Sequence, residues 1–310
     1  MDPSARGSFV GSAVDPEPSG VRVSNSAAPT SLSATRRRQI GSASARSTLL
    51  TILGEFVHPR GEPVWTATLI EALGAMGIEE KSARQALTRT AAEGLLESTR
   101  HGRRVLWSLT PHGHDLLEQG TQRIYGFMRG RRPWDGRWLV LSVPIPETHR
   151  QLRHRLRTRL TWLGLGSPTP GLWISPDTGH ANEVHAVIRD LGLENQAFSW
   201  VGPAGGIGLE SRLLADAWDL EQVEDLYLQF IEEFEVREAE GDLECFVAQV
   251  QMVQDWRRFP FLDPDLPPEL LDHDWPGPRA ANAFHERHAR WNVRARAAWE
   301  AFDRAGGSKP

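Results

Sequence analysis

The residues with the clearest chemistry lie in the stretch EEKSARQALTRTAAEGLLE, Glu79 to Glu97. On a helix turning 100° per residue, Ala83, Ala86, Leu87, Thr90 and Gly94 fall within about 60° of one another. The opposite side carries Lys81, Gln85, Thr88 and Ala92, with Arg84 and Arg89 on the two shoulders. A solvated helix ordinarily breaks up its cations with carboxylates three or four residues away. Between Lys81 and Ala92 there is no Asp or Glu. Such a face suits a polyanion. Arg can donate two hydrogen bonds to guanine, Gln can pair twice with adenine, Thr can meet the thymine methyl, and a small Ala92 permits close approach.

A second basic group follows at once. TRHGRR places Arg100, His101, Arg103 and Arg104 on a Gly-containing polar turn between two short apolar runs, Leu95–Ser98 and Val105–Leu109. A tight hairpin with these cations suits phosphate contact or entry into a minor groove.

A small scaffold is needed to hold both groups outward. Leu49, Leu50, Leu53, Phe56 and Val57 recur at helical spacing and stop at His58–Pro59–Arg60–Gly61. A second amphipathic run, Val64 to Met76, stops at Gly77, and Pro111 opens a fourth helix through about Phe127. The order helix, helix, helix, strand, turn, strand, helix is that of a winged helix-turn-helix. The third helix starts poorly, because Ile78 and Glu79 stand where Ser, Thr or Asp would cap better. A winged helix used for protein contact, its charged face merely hydrated, is the competing reading.

Past Arg132 the pattern changes. RWLVLSV, GLWIS and AFSWVG read as strands, with a short one near Gly164–Ser167. ETHRQLRHRLRTRLTWLG and His180 to Leu191 read as helices, giving the ferredoxin-like order βαββαβ. Its buried faces should include Leu139, Leu141, Trp173, Val184 and Phe198. Arg150, Arg153, Arg155, Arg157 and Arg159 make the first of these helices a solvated face, a salt-bridged one, or a receiver of an anionic ligand. From about Leu209 the chain is helical, with broad apolar stripes at Leu220–Ile231 and Leu243–Val253 and a last helix from about Pro278 to Asp303.

The expected class is therefore α+β multidomain. Residues 1–44 form a disordered arm ending near Arg36–Arg37–Arg38. Residues 45–132 form the winged helix DNA-binding domain, 133–203 a ferredoxin-like central domain, 204–303 a helical dimerisation or effector domain, and 304–310 a tail. The 310 residues carry a net charge of −5, distributed unevenly. Residues 45–132 hold 12 Lys and Arg against 9 Asp and Glu; residues 204–310 hold 11 against 22. A polyanion would be met by the N-terminal half and repelled by the C-terminal third.

No catalytic constellation emerges. Cys245 is the one cysteine, so no internal disulfide and no cysteine cage can form. His285 and His288 lie three apart on the last helix, and His273 sits between Asp272 and Asp274, far short of a metal site; they read as hydrated surface histidines. GPAGGIG lacks the spacing and acidic partner of a dinucleotide loop. Some CRISPR-associated nucleases use a similar small fold with an Asp ending the first strand, but here that strand ends Val143–Pro144–Ile145–Pro146. No window approaches a membrane span and there is no apolar signal core, so a cytoplasmic protein is expected. A nucleic-acid-processing or CoA-utilising enzyme with a winged-helix docking module is the alternative.

The ordered motifs resemble the PaaX-type transcriptional repressors of phenylacetic acid catabolism. The resemblance runs from ARSTLLTILGEFVHPRGEPVWTATLIEALGAMGIEEKSARQALTRTAAEGLL through HGRRVLWSLTPHGHDLLEQGTQRIY and WDGRWLVLSVPIPETHRQLRHRLRTRLTWLGLGSPTPGLWISP to FLDPDLPPELLDHDWPG. It implies a homodimeric repressor that occupies operator DNA and leaves it on binding an aryl-CoA thioester such as phenylacetyl-CoA, with no resident cofactor. It also implies that Lys81, Ser82, Arg84, Gln85, Thr88 and Arg89 lie on the recognition helix and Arg100, Arg103 and Arg104 on the wing.

Overall fold

The computed structural model describes residues 44–129 and 133–308; the N-terminal arm, the Arg36–Arg38 run and the last two residues lie outside them. The first helix, α1 (Ala45–Ile52), starts where the Ser44 hydroxyl accepts from the Ser47 backbone N–H at 3.2 Å. It runs on through a π-turn, Leu53–Val57, closed by the His58 N–H donating to the Leu53 carbonyl at 2.7 Å. That wider turn brings Leu53, Glu55, Phe56 and Val57 all inward.

Then follow β1 (Val64–Trp65), α2 (Thr66–Ala75), α3 (Glu80–Ala92), β2 (Leu96–His101), β3 (Arg104–Leu109) and α4 (Pro111–Gly126). The expected second helix from Val64 starts two residues later, at Thr66. Val64 and Trp65 are instead extended and pair with Trp107 and Leu106, giving a three-stranded antiparallel sheet in the order β1-β3-β2. The pairing fixes where α2 begins. The hairpin strands are also longer than the apolar runs alone suggested, because pairing continues out to His101 opposite Arg104.

The central segment holds β4 (Arg137–Ser142), α5 (Arg150–Trp162), β5 (Gly166–Thr169), β6 (Leu172–Ser175), α6 (Ala181–Asp190) and β7 (Phe198–Pro203). Its strands form one antiparallel sheet in the order β5-β6-β4-β7. Leu139 and Leu141 face Leu156, Leu160, Val184 and Ile188, so α5 and α6 cover the same side. The other side, Trp138 and Ile174, meets Leu214 of α7 (Glu210–Ala217) together with Leu266 and Leu270. Phe198 corrects the expectation of burial: it is 69 % exposed, because β7 is the sheet's outer strand and α7 covers the β5–β6 end.

The remaining helices are α8 (Leu220–Phe234), α9 (Asp242–Trp256), the short α10 (Phe259–Leu262) and α11 (Gly277–Ser308). They do not form a separate core. Phe56 of the π-turn lies 5.0 Å from the Phe246 ring and 5.6 Å from Trp299, while Trp256 stacks on Phe284 at 4.7 Å. The buried faces of α1, α2 and α3 join those of α8, α9 and α11 in one apolar cluster. Truncating one such aromatic typically costs about 3–5 kcal/mol, so the N-terminal module draws much of its stability from the C-terminal helices.

One polar knot is buried in that seam. Glu55 accepts from Tyr125 Oη at 2.5 Å and Gln249 Nε2 at 2.9 Å, and sits 3.0 Å from His288 Nε2. His288 is thus a core partner; the expectation of a hydrated histidine is corrected by a carboxylate 233 residues away. Burial pushes the Glu55 carboxyl up, but the facing His288 and the Tyr125 and Gln249 donors outweigh it and hold the group below the ordinary carboxylate range. A depressed folded-state value means that the stabilisation is fully present above the usual Glu range and is lost as pH falls through the lowered value. Glu55→Gln should cost about 3 kcal/mol at pH 7. The gap to wild type should narrow as the pH falls below about 4, which urea unfolding at a series of pH values measures.

Candidate nucleic-acid interface

Four side chains seat α3. Ala83, Ala86, Leu87 and Thr90 are buried, and the Thr90 hydroxyl returns to the Ala86 carbonyl at 2.9 Å. The Glu79 side chain makes no capping bond, as its residue type predicts. The stripe opposite is outside: Lys81, Ser82, Arg84, Gln85, Thr88 and Arg89 are all exposed. The sequence pattern therefore places these six side chains together on one accessible face.

Two local contacts modify that face. Arg84 donates through Nε and Nη2 to Glu80 Oε1 at 2.9 and 2.7 Å, one turn earlier. Glu80 sits in the first turn, where a carboxylate also favours the helix dipole. Thr88 spends its hydroxyl on the Arg84 carbonyl at 3.0 Å. The carboxylate-free run begins one residue too late to show the Glu80 contact, although the i, i+4 spacing of Glu80 and Arg84 was the available signal.

The hairpin stands beside α3. Gly102 occupies the tight turn with φ +63°, a backbone region that disfavours side chains. Arg100 and Arg103 are exposed on either side of it. Between the start of α2, the start of α3 and the hairpin lies a hollow of about 490 Å³, whose lining includes Trp65, Ile70, Glu80, Arg84 and Arg103.

Arg104 is placed differently from its neighbours. Expected on the outer face of the turn, it is half-buried and turned toward α11: it donates to the Gly306 and Gly307 carbonyls at 2.6 and 2.8 Å. Nothing in its local sequence signals this, because its partners lie some two hundred residues further on.

The geometry offers cations, a bidentate amide and small side chains on one convex helix, with a second basic element alongside. Among the described residues no group of three His, Cys, Asp or Glu is arranged to hold a metal ion, and no helix is long and apolar enough to cross a membrane.

Three family models match the chain in sequence order: "PaaX-like protein" over residues 44–113, "PaaX protein central Cas2-like domain" over 131–212 and "PaaX-like protein C-terminal domain" over 218–301. The transcriptional repressor PaaX of Escherichia coli K12 is 29 % identical over 247 residues, covering 76 % of each chain. Among solved structures, the uncharacterized protein Rv0674 of Mycobacterium tuberculosis has a TM-score of 0.58 at 24 % identity. The match covers 84 % of this chain and all of that one, a likeness of fold. With the three models laid end to end over residues 44–301, the chain belongs to the PaaX family of transcriptional repressors, regulators and not enzymes.

Proposed function

We propose that the chain is an operator-binding repressor whose residues 45–129 act as a winged helix-turn-helix, with α3 lying in the major groove and the β2–β3 hairpin as its wing. The observation that carries this reading is the division of α3: Ala83, Ala86, Leu87 and Thr90 buried, Lys81, Ser82, Arg84, Gln85, Thr88 and Arg89 exposed. Arg100 and Arg103 supply phosphate contacts from the wing. In this reading the sheet ordered β5-β6-β4-β7, with two helices on one side, is the ferredoxin-like central domain. The protein acts as a homodimer, so its operator is an inverted repeat with half-sites about one helical turn, or a multiple, apart.

The effector in this proposal is an aryl-CoA thioester, phenylacetyl-CoA or a close relative, and the controlled operon one of aromatic-acid catabolism. Support comes from the family resemblance and from the named repressor in E. coli. An effector displaces DNA only by binding the DNA-free state more tightly.

Duplexes selected from a random pool by the purified chain provide the test. Wild type should protect a two-fold-symmetric site, and Arg84→Ala combined with Arg89→Ala should abolish protection with the circular dichroism spectrum unchanged. Retained protection by the double variant defeats the assignment of α3. Glu80→Gln, which releases Arg84 and removes a negative charge from the face, should tighten duplex binding about two- to fivefold at low salt and less at high salt. Added phenylacetyl-CoA should release the selected duplex while free CoA does not; equal potency of the two removes the aryl group from the proposal.

A further inference from the structure

Arg104 is engaged on three sides. Two of its nitrogens donate to the carbonyls of Gly306 and Gly307, and its guanidinium carbon lies 3.7 Å from the centroid of the Trp65 ring. The carbonyls near the end of a helix carry partial negative charge and are well matched by a forked cation. Trp65 belongs to β1, pairs with Leu106 of β3, and meets the His101 ring of β2 edge-on at 5.8 Å. Arg104 of β3 and the Trp65 ring of β1 together tie the last described turn of α11 to all three strands of the hairpin sheet.

The neighbouring packing admits little movement. A Cβ on Gly306 would lie 2.2 Å from Thr68 Oγ1 and 2.7 Å from the Thr68 nitrogen, so only glycine lets α11 approach α2 this closely. Thr68 is fully buried in the first turns of α2. Its hydroxyl meets Asp303 at 3.4 Å, and Thr66 joins the same frame by accepting from Trp107 Nε1 at 2.8 Å and donating to the Val105 carbonyl at 3.1 Å.

We propose that Arg104, Trp65 and the Gly306–Gly307 turn of α11 form a clasp that sets the wing's position against α3, making Arg104 a positioning residue and not a phosphate ligand. The clasp would let the C-terminal helices dictate how the wing meets DNA. The proposal rests on the winged-helix reading above and deepens it. Arg103, exposed on the same turn, is the phosphate-facing cation by contrast.

Salt dependence separates the two roles, because each lost phosphate contact lowers the slope of log affinity against log salt by about 0.9. The probe is the duplex that wild type recovers from the random pool, titrated with the full chain across sodium chloride concentrations. Arg103→Gln should flatten the slope by about that amount. Arg104→Gln should weaken binding about tenfold at every salt concentration with the slope unchanged. Its hydroxyl-radical footprint should lose the wing-side protections while keeping those from α3, a pattern that general destabilisation would not produce. Gly306→Val, which alters no charge, and Arg104→Lys, which keeps the charge without the planar fork, should behave like Arg104→Gln. Backbone amides of Arg304–Gly307 should exchange faster in Arg104→Gln and at the wild-type rate in Arg103→Gln. A flattened slope for Arg104→Gln, or wild-type affinity in Arg104→Lys, overturns the clasp. Recovery of no duplex by wild type would defeat the DNA reading itself, and the amide exchange would then decide the clasp alone.

Discussion

The structure depends on the welding of two modules through one apolar core. The helices α1 to α3 bury their apolar faces in one cluster with α8, α9 and α11. Phe56 is packed against Phe246 and Trp299, residues about two hundred positions away, and the same cluster runs on to Trp256, Phe284 and Trp291. The outward stripe of α3 follows from this. Its Ala and Leu face is held by α1 and α2, which are held in turn by α9 and α11. Hydrophobic burial is non-directional, so direction has to come from the few polar contacts in and around the seam. Glu55 with Tyr125, Gln249 and His288 is one such contact. The Arg104 contact with α11 is another.

Charge is partitioned in the same way. α3 and the hairpin expose Lys81, Arg84, Arg89, Arg100 and Arg103, and further exposed Arg side chains lie on α5 and α11, while the C-terminal third carries twice as many carboxylates as cations. Because the helices behind that face share their core with the C-terminal region, a change in packing there has a direct mechanical route to α3 and the hairpin.

Much of the arrangement was legible in the residues. The 3.6-residue periods of α1 and α3, the polar turn at Gly102 and the alternation around Trp138–Leu141 are local signals, and each element stands where those signals put it. What was not legible depends on partners far along the chain. Val64 and Trp65 fit a helical period and became strand through pairing with Trp107 and Leu106. Phe198 alternates like a core residue, yet lies on a sheet edge left uncovered by α7. His288 looked like one of a surface pair until Glu55 was brought beneath it by a π-turn that no spacing rule announces. On the outer face of α3, Lys81, Arg84, Gln85, Thr88 and Arg89 were placed by type and spacing, Ser82 by the family resemblance, and all six are exposed. The distinct placement of Arg104 required knowing where α11 ends up.

The claim that N-terminal and C-terminal modules share one cooperative core is tested most directly by native-state hydrogen exchange across a denaturant series. Amides of Leu49–Val57 in α1 and its π-turn, of Phe246–Trp256 in α9 and of Phe284–Trp299 in α11 should converge on one opening free energy. Exchange of α1 through α3 at a distinctly lower free energy, with α9 and α11 still protected, would show an independently folding N-terminal module and contradict the account.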